Sequence, residues 1–369
     1  MIKNVKICDE SNIKIHGRTI PCLYPVSLIW TGSSIEMNIK CSELSVLIGS
    51  DYQDFESWIA VEVDGEIIQR RPLNKDKEWI SILRMTDPTI ERNIKIIKET
   101  QAMSCDVAHC VNVYEIKYDG EILPVNDKNI KIEYIGDSIT SGEGCIGAQN
   151  EMEWISMFFS HVGSYPYLLS KKLNADYRVI SQSGWGVYCS WDNKTECAVP
   201  LYYEDICSLL PNGDLKNKGF NDKNDFDAWQ PDAIVINLGV NDDVAFHGNS
   251  YTDPVTGSVV QLRMDGDNYN TEDINKVRNA IYGFLKNVRS HNKKAKIYWA
   301  FGILGNDFAF AIKDTIDSYN IKENDSVKFV ELKNTEKEEF GSRLHPGKEA
   351  HLNAVNILYN ALVSDNLIK

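Results

Sequence analysis

The hydropathy pattern of this chain changes period near residue 125, and a single layer of secondary structure cannot serve both halves. Before that point, residues 30–39, 58–68 and 111–123 alternate apolar and polar side chains with a period near two, the pattern of strands with one buried face. Asp64-Gly65 and Asp119-Gly120 each interrupt such a run with the pair that supplies the positive φ values of a tight turn, which predicts two similar hairpins. No long helical stripe occurs in this region, so the expectation for residues 1–125 is a β-sandwich of jelly-roll type. Residues 124–129 (PVNDKN) read as a linker. Beyond them, strand-like runs at 131–135, 177–181, 233–238, 296–301 and 327–331 alternate with helical patterns, the signature of crossover units on a parallel sheet. Ile274, Val277, Ile281, Phe284, Leu285 and Val288 recur at helical spacing as a core-facing stripe, and residues 347–363 form a terminal helix. The 369 residues exceed the ~100–200 typical of one domain, so a two-domain chain follows: a β-sandwich at 1–125 and an α/β domain with a central parallel sheet at 129–369.

Charge narrows the partners. With 53 acidic against 39 basic residues the formal net charge is −14, which repels phosphate backbones and anionic lipid heads, so neither nucleic acid nor a membrane is an expected partner. No apolar run approaches the ~20 residues of a membrane span, and the first residues lack the apolar region of a secretory signal. The expectation is a cytoplasmic protein, or a secreted one where a leader has been removed; the sequence leaves the oligomeric state open. Nine scattered cysteines are read as reduced and mostly structural. Cys105, His109 and Cys110 suggest no metal: on a strand the first two face opposite to the third, and no second ligand cluster follows. Residues 214–227 are polar and turn-rich, the expectation being an exposed loop.

In a parallel sheet, ligands bind beyond the carboxyl ends of the strands, so the polar residues there carry the functional question. The first strand after the linker runs into Gly136-Asp137-Ser138, where a serine at a strand-to-helix turn presents either a nucleophilic hydroxyl or an ordinary N-cap. Ile180-Ser-Gln-Ser-Gly184 ends in a glycine that admits a substrate to the backbone or simply loosens a loop. Ile236-Asn-Leu-Gly239-Val-Asn241-Asp242 offers a carboxamide, with a plain Asn-Asp turn as the alternative. Before the terminal helix, His345 precedes Pro346, which restricts its backbone to an extended form; His351, six residues on, is read as structural. A nucleophile, a base and three candidate oxyanion donors at strand ends are more specific together than any one of them.

Gly136-Asp137-Ser138, Gly184, Asn241 and His345-Pro346 occur in the order of the four blocks of the SGNH (GDSL) hydrolase superfamily, and the match spans roughly residues 129–369. The front half, with Gly17-Arg18-Thr19, Trp30-Thr-Gly-Ser and Val63-Asp-Gly, resembles the jelly-roll of carbohydrate esterase family 2; Gly302-Ile-Leu-Gly305-Asn306 also resembles a loop of that family. The resemblance implies a serine esterase that removes O-acetyl groups from acetylated sugars or oligosaccharides, with catalytic Ser138 and His345. It implies an oxyanion hole of the Ser138 and Gly184 N–H groups and the Asn241 carboxamide, and no metal or organic cofactor. The family's aspartate three residues before the histidine is Ser342 here, with Arg343 next, which points to a Ser-His dyad whose ring is held by a backbone carbonyl. Asp242 and Asp243 serve as turn formers or as a replacement acid. Arg343-Leu344 stands where the family often has an aromatic, and Trp185 or Phe246 is the candidate substitute for substrate binding. Two rival functions share these residues: an acyltransferase that delivers the same acyl group to an acceptor sugar, and a carbohydrate-binding protein whose SGNH domain is inactive. A lipase is disfavoured, because nothing resembles an apolar lid.

Overall fold

The computed structural model describes residues 2–106, 108–210 and 213–367. The chain divides into two compact units, 1–128 with 153–162 and 205–224, and 129–152 with 163–204 and 225–369.

The first unit is built from antiparallel strands: β1 (Lys3–Lys6), β2 (Lys14–His16), β3 (Val26–Leu28), β4 (Ser34–Lys40), β5 (Leu44–Asp51), β6 (Trp58–Val63), β7 (Glu66–Pro72), β8 (Glu78–Leu83), β9 (Arg92–Lys98), β10 (Cys110–Tyr118) and β11 (Glu121–Leu123). One sheet runs β1-β10-β5-β8, with β3 also on β10; the other runs β11-β4-β9-β6-β7, with β2 also on β4. Alternate residues of both sheets, among them Val26, Leu28, Val46, Ile48 and Val113 from one and Ile35, Met37, Ile59, Ile94 and Ile96 from the other, meet in one apolar core. That common core is what the period-two pattern encodes, because each strand offers one face to it.

The two Asp-Gly pairs behave differently. Asp64 (φ 51°) and Gly65 (φ 84°) both adopt the left-handed region and join the paired strands β6 and β7. Asp119-Gly120 makes no hairpin, since β10 and β11 belong to different sheets. There the Asp119 carboxylate accepts the N–H groups of Ser42 at 2.8 Å and Glu43 at 3.0 Å, and Gly120 is required because a Cβ would fall 1.8 Å from the Lys40 carbonyl. Cys105 lies in an exposed turn and not on a strand, while the buried His109 ring meets Ser57 Oγ at 3.2 Å. Burial holds that imidazole well below its ordinary range. The expected loop at 214–227 is also partly ordered: α3 (Gly213–Asn217) forms there, with Leu215 and Phe220 buried in place of solvent exposure. The helices α1 and α2 that precede it in the chain are Ser138–Ser141 and Tyr165–Leu173.

The second unit carries a parallel sheet of β12 (Lys131–Gly136), β13 (Asp176–Ser181), β14 (Ala233–Asn237) and, after two short hairpins, β15 with β16 (Tyr251–Thr252, Val259–Val260) and β17 with β18 (Met264–Asp265, Asn268–Tyr269), β19 (Lys296–Phe301) and β20 (Lys328–Glu331). Its order is β13-β12-β14-β19-β20. The remaining helices are α4 (Val240–Phe246), α5 (Thr271–His291), α6 (Ala309–Glu323) and α7 (Lys348–Ser364). Ala233 and Val235 of β14 join a core with Leu169 of α2 and Ala354 and Leu358 of α7. Ile234 and Ile236 alternate with them and are also buried, as is the whole apolar stripe of α5. A strand buried on both sides needs no polar alternation, which is why these runs read as continuously apolar. Because β12 lies between β13 and β14, the winding reverses there, and the crevice of such a sheet opens beyond the carboxyl ends of these three strands.

Candidate active site

Ser138 sits two residues beyond Gly136, where a Cβ would lie 1.9 Å from Thr140 Oγ1 and 2.9 Å from the Asn237 carbonyl. Asp137 caps α1 by accepting the Ile139 N–H at 3.0 Å. The short helix closes at Gly142 (φ 75°), and the next N–H, that of Glu143, donates to the Ser138 carbonyl at 3.0 Å. Strand end, cap and left-handed stop therefore fix the serine's backbone within a few residues.

Beyond β13, Gly184 takes φ 77°. Its loop is organised by Asp242 of α4, whose buried carboxylate accepts the N–H groups of Val187 at 2.8 Å, Tyr188 at 2.7 Å and Cys189 at 3.2 Å. Gly186 lets the carboxylate in, since a Cβ there would lie 2.2 Å from Asp242 Oδ2. Burial raises the Asp242 carboxyl to about 6, against the lowering effect of these N–H groups. Asn241, beside it, donates from Nδ2 to the Trp185 carbonyl at 3.0 Å and to Asp137 Oδ2 at 3.3 Å. This links the ends of β12, β13 and β14 through one carboxamide. Burial also raises Asp137, to about 8, with the neighbouring Asp242 and Glu143 adding to it.

His345 reaches the same place by a different route. Its Nε2 lies 2.9 Å from Ser138 Oγ, and its Nδ1 lies 2.9 Å from the Arg343 carbonyl. With the ring's N–H at Nδ1, that carbonyl accepts it and leaves the Nε2 lone pair facing the serine. The Ser342 side chain makes no hydrogen bond to the ring: its hydroxyl points to the Ile146 carbonyl at 3.3 Å, while its own carbonyl accepts the His345 N–H at 3.1 Å. Arg343 (φ 55°) and Leu344 (φ 57°) are successive non-glycine residues in the left-handed region, a conformation that costs on the order of 1–3 kcal/mol each. The surrounding contacts hold them there. Ser342 N–H donates to the Gly144 carbonyl at 3.0 Å, Arg343 N–H to the Glu151 carbonyl at 2.7 Å, and Gly341 N–H to the His345 carbonyl at 2.9 Å. Gly144 is needed for this approach, because a Cβ there would lie 2.7 Å from that of His345.

Each sequence-derived candidate now has a place. Ser138 and His345 are in hydrogen-bond contact, and Asn241 touches the residues next to Ser138 and Gly184. Neither aspartate beside Asn241 contacts His345 among the hydrogen bonds of the described residues: Asp242 clasps the Gly184 loop, and Asp243 accepts the Tyr269 hydroxyl at 2.7 Å. Trp185, 6% exposed, packs on Tyr202, and Phe246, 3% exposed, packs on Tyr269 and Phe308, so neither offers a ring face to solvent. The open aromatic at this loop is Trp191, 55% exposed, whose Cδ1 would lie 3.0 Å from a Cβ on Gly184. Its indole was not singled out from the sequence, where no local pattern separates an exposed tryptophan from a buried one. His351 is buried, stacks on Tyr165 and accepts the Tyr165 N–H at 3.3 Å; burial pushes it down to about 3. The sequence also gave no weight to Glu143, which stands within 3.8 Å of His345 Nε2.

Comparison with known proteins adds lineage to this geometry. No family model matches the chain. It is 27% identical over 217 residues to the cellulase/esterase CelE of Acetivibrio thermocellus, a match covering 58% of this chain and only 24% of that protein. It is 30% identical over 257 residues to an acetylxylan esterase / glucomannan deacetylase of Cellvibrio japonicus, covering 66% of each. Among solved structures, the acetyl xylan esterase Est2A from the rumen bacterium Butyrivibrio proteoclasticus superposes with a TM-score of 0.96 at 36% identity, over 99% of this chain and 98% of that one. A family two carbohydrate esterase from Clostridium thermocellum, at 21% identity and a TM-score of 0.78 over 96% of this chain and 98% of that one, shares the fold.

Proposed function

This chain belongs to carbohydrate esterase family 2, and from that premise we propose that it is a serine esterase that removes O-acetyl groups from carbohydrates through an acyl-enzyme. The observation that carries the reading is the bridge through His345, with Ser138 Oγ at 2.9 Å on one ring nitrogen and a backbone carbonyl at 2.9 Å on the other. Serine is a weak nucleophile at its own pKa and needs such a base. Ser138 Oγ attacks the acetyl carbonyl while its proton passes to His345 Nε2; the Nδ1–H stays on the Arg343 carbonyl, so the ring keeps its tautomer and its aim. The Ser138 and Gly184 N–H groups and the Asn241 carboxamide receive the oxyanion, the carboxamide turning from its longer contact, that to Asp137. Collapse breaks the bond to the sugar oxygen, which takes the proton from Nε2. Water then repeats the sequence on acetyl-Ser138 and restores the hydroxyl.

Trp191 is the residue on which a sugar ring would stack, since its face is open beside Gly184. The first unit is read as a jelly-roll: its strand orders β3-β10-β5-β8 and β4-β9-β6-β7 are those of two interleaved Greek keys. The test is acetate release from acetylated xylan and glucomannan oligosaccharides, with 4-nitrophenyl acetate and octanoate as chain-length controls. Release from the oligosaccharides, loss of it in Ser138→Ala, and a preference for acetate over octanoate are expected. Acetyl transfer to an added sugar in preference to water would favour the acyltransferase, and binding without turnover would overturn the enzyme reading.

A further inference from the structure

The acid of a Ser-His-Asp triad does two things: it orients the imidazole, and it stabilises the imidazolium that forms during attack. Here the Arg343 carbonyl meets only the first need, because a neutral dipole supplies no charge. Among the described residues, the carboxylate paired with the ring is that of Glu143, in the turn that closes α1. It is buried, with Oε1 3.8 Å from His345 Nε2 and 3.1 Å from Arg343 Nε. The contact with Arg343 lacks hydrogen-bond alignment and is an ion pair by distance. Arg343 thus carries both the carbonyl that orients the ring and the guanidinium that sits on Glu143.

We infer that Glu143 is a positioning residue for the proposed reaction: it supplies the negative charge that the dyad otherwise lacks, and through its ion pair it holds the left-handed Arg343 whose carbonyl aims His345. The inference rests on the esterase reading above. The backbone ties run the same way, since Glu143 N–H is held by the Ser138 carbonyl and Ser342 N–H by the Gly144 carbonyl. Among the described residues, His351 of α7 also acts on the ring and is kept neutral by burial, and Asp137, next to Ser138 at the head of α1, has a carboxyl that burial raises. Glu143 and Arg343 act on the imidazolium with opposite sign.

This yields opposite displacements in two variants, which a merely structural role would not produce. Removing the carboxylate in Glu143→Gln takes away a negative charge 3.8 Å from Nε2 and disfavours the protonated ring, so the acidic limb of kcat/KM moves to lower pH. Turnover should fall by between about tenfold and the ~10⁴ that neutralising a triad acid costs. Removing the guanidinium in Arg343→Met leaves the carboxylate uncompensated, and the limb moves to higher pH. Glu143→Asp, which keeps the charge, should lie nearer the parent than Glu143→Gln. The same displacements are to be read from the His345 ring by NMR titration in a Ser138→Ala background, where no turnover is needed. If the parent enzyme releases no acetate but the ring titrations move apart as described, the esterase reading fails while the charge coupling of Glu143 and Arg343 to His345 stands. Titrations that coincide with the parent, or that move in one direction in both variants, overturn the assignment. Should Glu143→Gln not fold, the sign of the Arg343→Met displacement decides.

Discussion

The two halves of the candidate active site are held by different kinds of structure. On the serine side, a parallel strand ends at Gly136, Asp137 caps a helix, and Gly142 stops it, so regular elements place the hydroxyl over a span of seven residues. On the histidine side, residues 341–347 contain only a single 3₁₀ turn, with two residues in the left-handed region. The N–H groups of Ser342 and Arg343 are held by the carbonyls of Gly144 and Glu151, far away in sequence. Regular structure places a group through local rules that tolerate change around it. An irregular segment places a group only while its distant partners stay put, so a substitution there acts on geometry before it acts on chemistry.

The sharpest way to break this comparison is to remove the chemistry from each side. Ser138→Ala and His345→Ala are each expected to cost several orders of magnitude in kcat, on the scale of the ~10⁶ seen when one member of a nucleophile–base unit is deleted, and the double variant should be no worse than either. Melting temperatures should stay close to the parent for Ser138→Ala, because its neighbours are held by backbone bonds. A His345→Ala variant that kept more than a tenth of the parent rate would place the base elsewhere and void the contrast.

A smaller effect belongs to the third strand end. Asn241→Ala is expected to lower kcat by ~10²–10³, the cost typical of one lost oxyanion donor. The substitution also leaves the Trp185 carbonyl without its Asn241 partner, so some loss of thermal stability should accompany it. A fall confined to KM, with kcat unchanged, would assign the carboxamide to substrate binding in place of the transition state.

What was legible in the sequence divides along the same line. The strands of the parallel sheet and the stripe of α5 announce themselves because burial on a fixed face imposes a period. Gly136-Asp137-Ser138 is legible for the same reason, being a strand, a cap and a helix in succession. The role of Asp242 was not, since the letters Asn-Asp are the same whether the carboxylate shapes a turn or clasps three N–H groups of another loop. Trp185 and Phe246 read as open aromatics because burial is decided by tertiary packing, and Trp191 escaped for the same reason. The Asp119-Gly120 pair carries hairpin letters, yet its conformation is set by the Lys40 carbonyl pressed against it. A backbone carbonyl as the partner of His345 Nδ1 leaves no letter at all: the sequence marks only a serine at 342, and the Arg343 carbonyl reaches the ring from a segment with two left-handed residues.

The smallest expected effect tests that last point. In a conventional triad the position of Ser342 would hold the acid, so a polar side chain there invites the reading that its hydroxyl is a weakened substitute. The structure turns that hydroxyl away from the ring, onto the Ile146 carbonyl, through a bond at the long end of the usual range. Ser342→Ala should therefore keep kcat/KM within about threefold of the parent and lose no more than the ~0.5–1.5 kcal/mol of an ordinary hydrogen bond in stability, measured by urea unfolding. Its pH profile should overlay that of the parent, because neither the Arg343 carbonyl nor the Glu143 carboxylate depends on the hydroxyl. A loss of hundredfold or more with folding intact would mean that the ring is held through residue 342 after all. The histidine side would then owe its aim to a side chain, as the serine side does to its cap, and the contrast between the two halves would disappear.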